Sequence, residues 1–157
     1  MLEKIADPSL RVYVVWLPVL GNDARSRASG MTGAIPDPRA IHFWNQDQRL
    51  GKIYAEVLGL TADQCAWDVY LLFPRGVRWE ADAPTPVYWM HQLTYPSDNY
   101  LDGDKFRKEV EKRLQSSAKS PRAGLLSGPD EFTSQSWAAM VRSRSFCIDT
   151  WEELYRG

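Results

Sequence analysis

The run Val12-Tyr13-Val14-Val15-Trp16-Leu17 most constrains what this chain can fold into. Its β-branched and aromatic residues favour a strand, and both alternating faces are apolar. Such a strand needs cover on two sides, so it belongs inside a sheet with helices above and below. Pro18 then removes a ladder donor and stops the strand. Asn22 or Asp23 can cap a short helix beginning near Ala24, which Ser26, Ser29, Gly30 and Gly33 weaken.

Later segments extend the pattern. Pro36-Asp37-Pro38 reads as a rigid turn, and Ala40-Ile41-His42-Phe43-Trp44 follows as a second strand. Asn45 or Asp47 can cap a helix in which Leu50, Ile53, Tyr54, Val57 and Leu58 recur on one face, and Gly59 ends it. Residues 66–73 read as another strand, Pro74-Arg75-Gly76 as a hairpin turn, and Val77–Glu80 as the returning strand. The Pro- and aromatic-rich stretch from Ala81 to Tyr100 has no clear period. Asp102 or Asp104 opens a helix with Phe106, Val110 and Leu114 on one side. Residues 116–130 have linker composition, and Thr133–Tyr155 has helical potential around Trp137, Met140 and Val141.

This order resembles the minimal thioredoxin fold. Tyr70-Leu71-Leu72-Phe73-Pro74-Arg75-Gly76 is similar to that family's apolar strand, turn and glycine, and Val14-Val15-Trp16 to its first central strand. The resemblance covers about residues 10–116. It implies an α/β fold, thioredoxin-like βαβ-α-ββ-α, with a four-stranded mixed sheet flanked by helices. The first two strands are parallel through a right-handed crossover, and the second pair is antiparallel. Residues 1–116 form that domain, and 117–157 a linker and C-terminal helical extension packing on it. Active members carry Cys-x-x-Cys after the first strand, where a helix end lowers a thiol pKa. Here that window, Trp16–Asp23, holds no cysteine, and no proline stands near Asp68 where the family places a cis-proline. Dithiol redox activity therefore does not carry over.

In an open α/β sheet, ligands bind beyond the strand C-termini. That rule points to a cleft walled by Trp16, Trp44 and Trp67, with Asp23 and Asp68 as its polar groups. The competing reading has the tryptophans closing the core while Asp23 caps a helix and Asp68 holds backbone. Cys65 lies near the same edge, but Asp63 and Asp68 would raise its pKa. Tyr88, Trp89 and Met90 form either an exposed interaction surface or a bed for the C-terminal extension. His42 and His91 have no second ligand at metal spacing, so neither a metal nor a cofactor is expected. Gly30 and Gly33 do not make a phosphate loop.

A formal net charge of −1 gives no field that would gather nucleic acid or an anionic membrane. The charges on the helix from Asp104 read as an exposed face laced with i,i+4 pairs. With Cys65 and Cys147 far apart and no apolar run of signal or membrane length, the expected setting is the cytoplasm. The expected role is a non-catalytic binding or protein-interaction domain. Its ligand is a small molecule, a protein partner or a second copy in a homodimer. The alternative is a small enzyme using Asp23, Asp68 or Cys65.

Overall fold

The computed structural model describes residues 1–61, 64–92, 98–119 and 136–140, with residues 117–119 and 136–140 as backbone only. Strand β1 (Leu10–Trp16) is followed by α1 (Arg25–Met31), β2 (Ala40–Trp44) and α2 (Arg49–Val57). Then come β3 (Val69–Leu72), β4 (Tyr88–His91), α3 (Gly103–Lys119) and β5 (Ser136–Met140). A single 3-10 turn, Leu2–Lys4, precedes β1.

Strand alternation divides the interior into two cores. Leu10, Val12, Val14 and Trp16 of β1 pack with Ala28 of α1 and with Phe106, Val110 and Leu114 of α3. Tyr13 and Val15, with Leu17, pack on the other face against Leu50, Tyr54 and Ala55 of α2. Local chemistry sets the helix ends. Asn45 Oδ1 accepts from Leu50 N–H at 3.1 Å and Asp47 Oδ1 from Arg49 N–H at 3.1 Å, satisfying donors of the first turn of α2. Gly59 leaves that helix at φ +69°, a left-handed conformation suited to glycine. Asp102 Oδ1 accepts from the N–H groups of Asp104 and Lys105, both at 2.9 Å, at the start of α3.

The sheet departs from the expected four-stranded thioredoxin-like arrangement. β1 and β2 form a parallel pair, with Trp16 opposite Trp44. β3 and β4 form an antiparallel pair, with Val69 opposite His91. These two-stranded pairs do not bond to each other. Only β5 joins them, parallel to β1 and antiparallel to β3, in the order β2-β1-β5-β3-β4. The hairpin therefore does not add beside β1, because residues 136–140 take that ladder.

Two further expectations are corrected with it. Val77–Glu80 forms no strand; after the Arg75-Gly76 turn the partner of β3 is Tyr88–His91. Pro84 and Pro86 precede it, and the four residues after Val87 are free of proline and pair well. Where a C-terminal helix was expected around Trp137 and Met140, the chain is a strand. The remainder of that expected extension, with Cys147, Phe146 and Trp151, lies outside the described residues.

Candidate functional site

At the C-terminal ends of β1 and β2, the expected cleft residues separate. Trp16 and Trp44 are register partners and both are buried in the core beneath α1 and α3. Trp16 Nε1–H donates to His42 Nδ1 at 3.3 Å, and Trp44 Nε1–H donates to Gln46 Oε1 at 2.8 Å. Both indole donors are thus committed. Trp67 packs half-buried against the opposite core, under α2. Asp23 Oδ2 accepts from Leu20 N–H at 2.7 Å and closes a turn. Asp68 sits at φ +50°, and its backbone carbonyl accepts from Gln92 N–H at 2.9 Å. Trp16 and Trp44 thus lie together, while Trp67 faces the other side of the sheet.

Cys65 is packed against α2. An added methyl on Gly51 would lie 2.3 Å from its Sγ, so helix and thiol touch where only glycine fits. Burial pushes the Cys65 thiol up, against a smaller downward pull from Lys52. A thiol held protonated is a weak nucleophile. Tyr88, Trp89 and Met90 alternate across β4. Tyr88 packs with Phe106 at a ring separation of 5.8 Å, Met90 is buried in the same core, and Trp89 joins the core on the α2 side.

His42 is held by two neutral contacts. Its Nδ1 accepts the Trp16 indole N–H, and the ring also bonds to the Ile35 backbone. Indole nitrogen can only donate, so Nδ1 must be unprotonated for this bond to exist. Burial pushes the His42 pKa down, and the Ile35 contact opposes it less strongly.

A feature that the sequence reading misses lies at the other end of β1 and β2. There a cavity of about 690 Å³ opens among Leu2, Ile5, Ile35, Pro38, Tyr70 and Leu101. Its size falls within the range of small-molecule sites. Its wall is built around Arg39, whose Nε donates to Asp37 Oδ1 at 2.8 Å and whose Nη2 donates to Asp37 Oδ2 at 2.6 Å. Nη1 donates to the carbonyls of Ile5 at 2.6 Å and Asp7 at 3.1 Å, and Nη2 also to that of Leu2 at 3.1 Å. The bidentate pair is mostly enclosed, with 17% of the Arg39 and 8% of the Asp37 side chain exposed. Hydrogen bonding from Arg39 holds the Asp37 carboxyl below its usual range despite burial, and Asp37 in turn raises Arg39. Asp7 is lowered chiefly by the Ser9 hydroxyl, whose oxygen lies 2.6 Å from Asp7 Oδ1.

One signal for this wall was present in the sequence: an Asp and an Arg two residues apart on a turn locked by Pro36 and Pro38. The guanidinium's other partners are backbone carbonyls, which leave no mark on residue identity.

No described helix is long and apolar enough to cross a membrane. Among the described residues, no group of three or more His, Cys, Asp or Glu side chains could hold a metal ion. No family model, curated protein or solved structure matches this chain.

Proposed function

We propose that this chain is a non-catalytic binding domain whose site is the apolar cavity at the N-terminal ends of β1 and β2. The supporting observation is the cavity itself: about 690 Å³, bounded mainly by aliphatic and proline side chains, with its one Asp–Arg pair locked together. A site of that kind binds by burying apolar surface and has no group poised to transfer a proton or attack a carbonyl.

Small-molecule binding is favoured over nucleic acid, given the net charge of −1 and the paired charges along α3, such as Arg107 with Glu111 at 2.8 Å. In this reading the domain works in the cytoplasm, with Cys65 a passive thiol. The enzyme alternative would draw on Asp23, Asp68 or Cys65. Asp23 is engaged by Leu20, and burial raises the Cys65 thiol.

The test is saturable uptake of the neutral fluorophore N-phenyl-1-naphthylamine by the full chain. One-to-one binding that Ile35→Trp abolishes, with the circular dichroism spectrum unchanged, is expected. Absence of saturable uptake, or turnover in an insulin-reduction assay, would sink the proposal.

A further inference from the structure

We infer that the ligand of this cavity is a neutral, apolar molecule, and that an anionic amphiphile of the same shape is refused. This rests on the cavity being the binding site.

Arg39 is the only basic side chain among the described residues that line it. A guanidinium has five N–H donors. Here Nε reaches Asp37, Nη1 reaches Ile5 and Asp7, and Nη2 reaches Leu2 and Asp37, so all five have acceptors. Both Asp37 carboxylate oxygens are held by the same guanidinium. The Glu3 carboxylate, also in the lining, carries the sign that repels an anion. The Tyr70 hydroxyl is hydrogen-bonded to Gln92 Oε1.

A carboxylate or phosphate entering this space would leave water without gaining a basic side chain that has donors to spare. It could draw Arg39 away only by stripping partners from Asp37 and three backbone carbonyls. Burying an unpaired charge is strongly unfavourable, whereas an uncharged apolar body loses nothing comparable. Selectivity here comes from a basic side chain already committed within the wall, which is why it discriminates between two ligands of equal length.

The experiment compares 1-dodecanol with dodecanoate as competitors of N-phenyl-1-naphthylamine on the full chain at pH 7.5. Dodecanol is expected to displace the probe at a concentration at least about tenfold lower than dodecanoate. Leu101→Trp, which fills the cavity from the α3 side, should weaken both; Ile35→Trp serves from the opposite wall should the first variant not fold. Equal or tighter displacement by dodecanoate, still lost on filling, overturns the ligand class and leaves the binding site standing. Probe uptake that neither filling variant reduces, or no uptake at all, overturns the site and the ligand class together.

Discussion

Gly51→Ala separates two effects of opposite sign. Gly51 lies in the second residue-pair of α2, and replacing glycine by alanine inside a helix ordinarily stabilises by about 1 kcal/mol. Here the new methyl would stand 2.3 Å from Cys65 Sγ, 2.9 Å from Leu17 Cδ1 and 3.1 Å from the Ala66 carbonyl oxygen. Ordinary contacts begin near about 3.5 Å, so Sγ must retreat by about 1.2 Å. Sγ and Cδ1 can rotate, but the carbonyl belongs to a backbone that α2 cannot leave freely, because Ala66 N–H donates to Gly51 C=O at 2.8 Å. Overpacking of this kind costs about 1–3 kcal/mol, and its upper end applies where backbone is involved. We expect a net loss of about 2 kcal/mol after crediting the helix propensity. Urea unfolding followed by tryptophan fluorescence measures it, with unchanged m-value. Adding Cys65→Ala removes the nearest atom and should restore about half the loss, a coupling of about 1 kcal/mol. A Gly51→Ala protein as stable as the parent would refute the close contact between α2 and the Cys65-Ala66 segment.

Four further outcomes follow from the geometry. Arg39→Lys keeps the charge but cannot serve three carbonyls and a carboxylate at once; stability should drop by about 2–3 kcal/mol in thermal or urea unfolding. The lowered His42 pKa makes the neutral form the folded one, so its contribution is present above the unfolded value near 6.5 and is lost as pH falls through the folded value. Urea midpoints should therefore decline between pH 7.5 and 5.5, and His42→Phe should flatten that decline; an identical slope in both proteins would assign it elsewhere. Asp37, held low by Arg39, adds a second loss at more acid pH, below about 3.8, which Asp37→Asn should remove from the acid-unfolding curve. Cys65 should react with iodoacetamide more slowly than free cysteine at pH 7.5, since burial raises its pKa; a faster rate would revive the nucleophile.

Periodicity made much of the chain legible and left its assembly hidden. β1 could be read because Val12 to Leu17 is apolar at both parities, and the two cores beside it show why. The faces of α2 and α3 follow from Leu50 and Tyr54, and from Phe106, Val110 and Leu114. The centre of the sheet could not be read. Ser-Trp-Ala-Ala-Met in β5 has little intrinsic strand character and sits in a helix-favouring context, so only tertiary pairing makes it extended. β4 is four residues long and follows Pro84 and Pro86, which mask its pattern. A shared sheet edge does not place side chains on a shared face, and Trp16 and Trp67 end in opposite cores. The cavity depends on where a guanidinium meets backbone, a relation that residue types do not record.

One consequence of the Arg39 clamp concerns time rather than affinity. Carbonyls of Leu2, Ile5 and Asp7 converge on a single side chain, while the strands they precede are tied by their own ladders. Held by side-chain contacts and not by a ladder, that segment is expected to open at a free energy below that of global unfolding. Its amides should then exchange with deuterium well before those of β1, and a molecule lodged behind it would escape at the frequency with which the segment swings out.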